Sequence, residues 1–146
     1  MQKIGWREWA SLPALGIEHI KVKVDTGART SALHAFEVET YFEDDQEWVR
    51  FRIHPLQKNA ELVNECSCPV LARRQVTDSG GHTEERIVIR SDVVIGSRQW
   101  PIEITLTDRE NMKFRMLLGR TAMTGLYVDP NNSFLLGRRR RLKSRL

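Results

Sequence analysis

Apolar and polar residues alternate along much of this chain. Ile20, Val22 and Val24 fall on one side of a run whose other side carries Lys21 and Lys23. Val49, Phe51 and Ile53 alternate with Arg50, Arg52 and His54, and Ile102, Ile104 and Leu106 with Glu103, Thr105 and Thr107. A period of two marks strands with one buried face, so each of these runs is expected to be half-buried. Pro13 and Gly16 interrupt the entry segment, Pro55 closes a strand, and Pro130-Asn131-Asn132 marks a late turn before Phe134-Leu135-Leu136. The acidic stretch Glu43-Asp44-Asp45-Gln46-Glu47 predicts a hairpin between Phe36–Phe42 and Trp48–Ile53. Two runs of comparable length, Val70–Val76 and Thr83–Ile89, flank Asp78-Ser79-Gly80-Gly81-His82, which reads as the tip of a second hairpin. No long 3.6-residue periodicity and no internal repeat occurs; only Thr121–Leu126 is left for one or two helical turns near the C-terminus. Short strands with frequent turns predict an all-β fold, a small closed barrel with one short C-terminal helix.

Composition narrows this to one core. A chain of 146 residues with 40% hydrophobic residues can bury a single core, so residues 1–137 are expected to form one domain, followed by a basic tail, 138–146. The net charge of +4 belongs to that tail: six positive charges lie between Arg138 and Arg145, and the rest of the chain carries −2. Such a tail suits RNA, an acidic protein or anionic lipid as well as it suits a solvated end. No aromatic residue interleaves its arginines, so nothing points to base stacking, and nucleic acid is the weaker reading. No apolar run is long enough to span a membrane, and the first residues lack a signal peptide's apolar segment, so a cytoplasmic location is expected. Cys66 and Cys68 stand too close together to bridge each other, which fits a reducing compartment.

The candidate chemistry sits at the end of the first alternating run. Asp25-Thr26-Gly27 follows Val24, placing a carboxylate at a strand-to-turn edge, where a second carboxylate could share a proton with it and activate water. By itself the triplet also suits an ordinary turn. Its context, Lys23-Val24-Asp25-Thr26-Gly27-Ala28-Arg29-Thr30-Ser31-Ala32, a glycine-containing hairpin in the middle of the chain, and Leu117-Leu118-Gly119-Arg120 before a short helix, resembles the retropepsins, the homodimeric viral aspartic peptidases. With Gly5-Trp6-Arg7-Glu8-Trp9 added, the chain resembles a bacterial branch known as ATP-dependent zinc proteases, retropepsin-like proteins often associated with ATP-grasp ligases. The resemblance runs from about Ile4 to Gly137.

The resemblance implies a barrel of the retropepsin-like acid protease type. The chain is too short for both lobes of a bilobal aspartic peptidase, so a homodimer must supply the second Asp25 across a two-fold axis. Asp25, Thr26 and Gly27 are then the catalytic triplet: the carboxylate activates water, the Thr26 hydroxyl locks the two active-site turns together, and Gly27 lets substrate approach the backbone. Met116-Leu117-Leu118-Gly119 braces that loop. Ser79, Gly80 and Gly81 would form a flap over peptide or protein substrate. The same residues equally suit an exposed hairpin that covers nothing, and Asp78-Ser79-Gly80 serves turn geometry better than a second catalytic motif.

One position departs from the viral pattern. An acidic residue commonly follows Asp-Thr-Gly-Ala there and can pair with the arginine after the late glycine; here Arg29 faces a retained Arg120. Two guanidinium groups need acidic partners, from Asp108, Glu110 or Asp129, or from an acidic and possibly glutamate-rich substrate bound by Arg29 and Arg120. The zinc in the branch's name finds no His-Glu-x-x-His; Cys66 and Cys68 with His54 and His82 are ligand types, but loop or core positions suit them better, and His34 reads as a polar strand residue. There is no Walker-type phosphate loop. No metal or cofactor is therefore expected, and any ATP dependence would come from a ligase partner. Two functions remain: an aspartic endopeptidase with an Asp25/Asp25 dyad, and a binding module that holds an acidic peptide or an ATP-grasp ligase without cutting. Metal-dependent hydrolysis ranks third.

Overall fold

A computed structural model describes residues 2–56, 62–77, 80–108 and 114–137. The strands run in the order β1 (Gln2–Gly5), β2 (Arg7–Leu12), β3 (Ile17–Val24), β4 (Ser31–His34), β5 (Phe36–Glu43), β6 (Gln46–Ile53), β7 (Asn64–Pro69), β8 (Ala72–Thr77), β9 (Thr83–Ile95), β10 (Arg98–Thr107), β11 (Met116–Leu118) and β12 (Leu126–Asp129). Strands β10, β4, β11, β3, β2 and β9 pair in that order, and β9 pairs back to β10, closing a six-stranded barrel of the expected retropepsin-like kind. The expected short C-terminal helix is a single 3-10 turn, Arg120–Ala122, and a second such turn, Pro13–Leu15, ends at Gly16 in the left-handed region where a side chain would be strained. Among the described residues no helix is long and apolar enough to cross a membrane.

Period-two patterning predicts the buried faces well. Ile20, Val22 and Val24 point inward, as do Val49, Phe51 and Ile53. Strand β10 departs from the half-buried expectation: Thr105 and Thr107 are buried together with Ile104 and Leu106. The strand has β4 on one side and β9 on the other, and both supply partners to its threonines. The Thr105 hydroxyl donates to the Ser31 carbonyl at 2.9 Å and the Thr107 hydroxyl to the Glu84 carboxylate at 3.1 Å, so neither is left unsatisfied.

Two smaller sheets flank the barrel. β5, β6 and β7 form an antiparallel sheet, and β1 pairs in parallel with β12. The acidic hairpin is tighter than expected: strand pairing extends to Glu43 and Gln46, and Asp44 and Asp45, both at positive φ, make the two-residue turn that matches strand twist. Cys66 and Cys68 are free and lie on one face of β7, inside the core. The second hairpin is β8 against β9 with Thr77 opposite Thr83; Asp78 and Ser79 lie outside the described residues.

Candidate active site

The sequence places Asp25 just past the end of β3 at Val24, because Asp, Thr and Gly in succession favour a turn over a strand, and the fold supplies the rest. β11 threads between β3, to which it runs parallel, and β4, to which it runs antiparallel, so Leu118 stands opposite Val24. The Asp25 backbone N–H donates to the Leu118 carbonyl at 2.9 Å, and Val24 N–H to the Trp6 carbonyl at 2.8 Å. Gly27 N–H donates to Asp25 Oδ1 at 3.0 Å, which orients the carboxylate, and the Ala28 N–H closes the turn on the Asp25 carbonyl. The loop is also held from the 3-10 turn that follows β11. Arg120 N–H donates to the Ala28 carbonyl at 2.8 Å, Thr121 N–H to the Arg29 carbonyl at 3.2 Å, and the Arg120 guanidinium to the Thr26 carbonyl at 3.0 Å.

A residue not singled out from the sequence completes this brace. Ser31 is buried, and its hydroxyl accepts the Gly119 N–H at 3.0 Å while its carbonyl takes the Thr105 hydroxyl. Its place inside the Lys23–Ala32 run was visible; that its side chain turns inward toward Gly119 was not.

Asp25, Gly27, Arg29 and Arg120 line one groove of about 1220 Å³. Its far wall is the stem of the β8–β9 hairpin, with Arg74 and Val76 on one strand and Arg86, Val88 and Arg90 on the other. Gly80 and Gly81 are exposed at the tip, outside the groove wall, and Ser79 lies outside the described residues. Thr26 is exposed and does not line the groove; within the chain it contributes its carbonyl to Arg120. The spacing of Arg86, Val88 and Arg90 on alternate positions was a readable signal, but only the closed barrel aims that face at Asp25.

The electrostatics of the groove are lopsided. Arg74 pairs with Glu103 at 2.6 Å, and Arg86, 8% exposed, pairs with Glu84 at 2.6 Å. Arg29 and Arg90 form no ion pair among the described residues. The acidic partners expected for Arg29 and Arg120 are not Asp108 or Asp129: Asp129 caps its own turn by accepting from Asn131 N–H and the Asn132 amide, contacts that hold its carboxyl below the usual range, and Asp108 makes no ion pair among the described residues. Glu110 lies outside the described residues.

The ligand-type residues do not fit zinc. Burial pushes the Cys66 and Cys68 thiols up, to about 12 and about 11, whereas a metal requires the thiolate. His54 stacks on Phe36 and contacts the Leu62 carbonyl, while His82 sits at the far hairpin. Among the described residues no three His, Cys, Asp or Glu side chains converge. His34 is buried in β4 outside the groove wall.

The barrel and its flanking sheets superpose on the crystal structure of a Legionella pneumophila protein of unknown function with a TM-score of 0.77, covering 92% of this chain and 98% of that one at 22% identity, a likeness of fold alone. Two proteins named "Probable alpha-L-glutamate ligase" share more sequence: that of Parasynechococcus marenigrum is 49% identical over 135 residues, and that of Shewanella pealeana 44% over 135 residues. Each match covers 92% of this chain but only 29% and 30% of the respective ligase, so the chain spans about three-tenths of the length of these relatives. Residues 3–139 match the family model described as retropepsin-like aspartic endopeptidase RimB, and the chain belongs to this RimB-like family.

Proposed function

We propose that this chain is an aspartic endopeptidase that works as a homodimer, with one Asp25 from each copy. The observation that carries the reading is the isolation of Asp25. Of the two carboxylates that line the groove among the described residues, Glu103 is engaged by Arg74 at 2.6 Å, which leaves Asp25, held by Gly27 N–H through one oxygen. A water-activating dyad needs a second carboxylate close by, and a second copy is its source. The two-stranded β1–β12 sheet supports the same reading, because a lone parallel pair is marginal and gains from added strands.

In this mechanism one Asp25 is ionised and takes a proton from water as the water attacks the scissile carbonyl; its protonated partner hydrogen-bonds the carbonyl oxygen and stabilises the tetrahedral intermediate. No covalent enzyme intermediate forms. Thr26 would lock the two turns across the axis, and Gly27 would admit substrate backbone. The β8–β9 hairpin, with Ser79, Gly80 and Gly81 at its tip, would close over the groove. Arg29, Arg90 and Arg120 favour an acidic peptide. Because the similar proteins are named as glutamate ligases, a glutamate-rich chain made by such a ligase is the substrate we favour, and an ATP-grasp ligase the associated protein.

Arg29 and Arg90, which form no ion pair among the described residues, also favour a second reading, a groove that holds an acidic peptide without cutting it. One experiment separates the two. Purified protein, its mass in solution established by sedimentation, is given fluorogenic glutamate-rich and neutral peptides, alongside Asp25→Asn. Cleavage of the glutamate-rich peptide that disappears in Asp25→Asn, with binding retained, supports the peptidase. Tight binding by both proteins with no cleavage supports the binding module, and equal handling of neutral and acidic peptides removes the specificity assigned to the arginines. A crystal structure with Asp25 carboxylates about 3 Å apart would agree with a shared-proton dyad.

A further inference from the structure

We propose that the open edge of β5 is a docking site for a basic, extended segment of a partner protein, which adds to the β5–β6–β7 sheet as a fourth strand. The proposal concerns a face distinct from the groove and does not depend on catalysis.

The argument starts from hydrogen-bond direction. In a two-residue hairpin the residues flanking the turn form the hydrogen-bonded pair, and such pairs recur at every second position. Here the flanking residues are Glu43 and Gln46, so Glu43, Tyr41 and Glu39 direct their backbone groups at β6. Thr40 and Phe42 direct theirs away. β5 pairs with β6 alone, and no other backbone contact engages these outward groups among the described residues.

The edge strands differ in how they are protected. One face of β7 packs on the Pro13–Leu15 turn, where the Asn64 side chain reaches the Gly16 carbonyl at 3.0 Å and Cys66 contacts the Leu15 carbonyl. β8 carries Arg73 and Arg74. β5 has neither lysine nor proline, and its one bulge lies at its start, between Phe36 and Glu39, away from Thr40 and Phe42. It instead presents Phe42, 73% exposed, and Val38, 37% exposed. Thr40 lies opposite buried Val49, so Phe42, two residues on, shares the face on which the core lies yet projects past it.

Charge selects the occupant. Glu37 and Glu39 are engaged by Arg52 and Arg50, but Glu43, Asp44 and Asp45 form no ion pair among the described residues. A second copy would bring an equally acidic edge and be repelled. A segment with lysines or arginines alternating with apolar residues meets all three features: backbone groups for Thr40 and Phe42, an apolar face for Phe42 and Val38, and positive charge for the hairpin end.

The test uses the full chain and the blocked peptide Lys-Val-Lys-Thr-Lys-Val-Lys, with Glu-Val-Glu-Thr-Glu-Val-Glu as control. The expected result is binding of the basic peptide only, weakened by salt, with slowed hydrogen exchange at the Thr40 and Phe42 amides. The double variant Val38→Lys, Phe42→Lys should bind at least tenfold more weakly at an unchanged melting temperature. If that variant does not fold, the exchange pattern of the unaltered protein decides. No binding, binding without protection of Thr40 and Phe42, or protection of these amides by self-association in the absence of peptide would each overturn the proposal.

Discussion

The Arg120 guanidinium donates to the Thr26 carbonyl at 3.0 Å, so the residue after the late glycine grips the middle of the Asp-Thr-Gly turn. That bond fixes the loop through an exposed side chain and leaves the core untouched. Arg120→Leu is therefore expected to cost about 1 kcal/mol of stability, the scale of one hydrogen bond. Under the proposed peptidase mechanism, misplacing Asp25 by a fraction of its reach should cost far more in rate, on the order of 100-fold in kcat. Peptide turnover beside equilibrium unfolding checks the contrast.

Gly119 admits no side chain. A Cβ there would stand 2.4 Å from the Thr30 carbonyl carbon and 2.6 Å from its oxygen, and both belong to backbone that cannot swing aside. Gly119→Ala should destabilise at the upper end of overpacking, about 3 kcal/mol. Urea unfolding measures it, and Gly81→Ala, at an open site with positive φ, gives a milder comparison.

Glu8 is 0% exposed, and its carboxylate accepts three backbone N–H groups, from Gly5 at 2.7 Å, Leu135 at 2.9 Å and Leu136 at 3.1 Å. It thereby clasps the C-terminal segment to β2, two residues from the Trp6 carbonyl that holds Val24. Glu8→Gln puts an amide NH2 against these donors and is expected to cost about 3 kcal/mol. Hydrogen exchange at Leu135 and Leu136 should accelerate before that of the barrel strands.

Cys66 and Cys68 link stability to alkaline pH. Burial raises both thiols from 9.0, Cys66 to about 12 and Cys68 to about 11. Above pH 9 the unfolded chain releases these protons while the folded protein keeps them, so stability is full below that value and falls as pH rises toward the folded values. The melting temperature of Cys66→Ala, Cys68→Ala should fall less between pH 9 and pH 11 than that of the unaltered protein. In the native state at pH 8 both thiols should resist alkylation, and both should react in denaturant.

Sequence and structure divide the account of this protein along a physical line. Alternation alone identified the inward faces of β3 and β6, because a strand buried on one side must repeat every two residues. Turn chemistry located the hairpin tips, and Asp25-Thr26-Gly27 with Leu118-Gly119-Arg120 pointed to the site, because local backbone geometry demands those residue types. Burial of Thr105 and Thr107 was invisible, since it depends on which groups of β4 and β9 meet β10 after folding. So was the dense lining of arginines: Arg29, Arg74, Arg120 and the β9 pair Arg86 and Arg90 come from four separate stretches, and only barrel closure gathers them into the groove that Asp25 lines. The choice of Ser31 as the brace for Gly119, and of the Thr26 carbonyl rather than Asp108 or Asp129 as the partner of Arg120, was likewise tertiary. Period and turn propensity are properties of neighbours along the chain, whereas the pairing of a polar group is settled by whichever atoms lie within about 3 Å of it after folding.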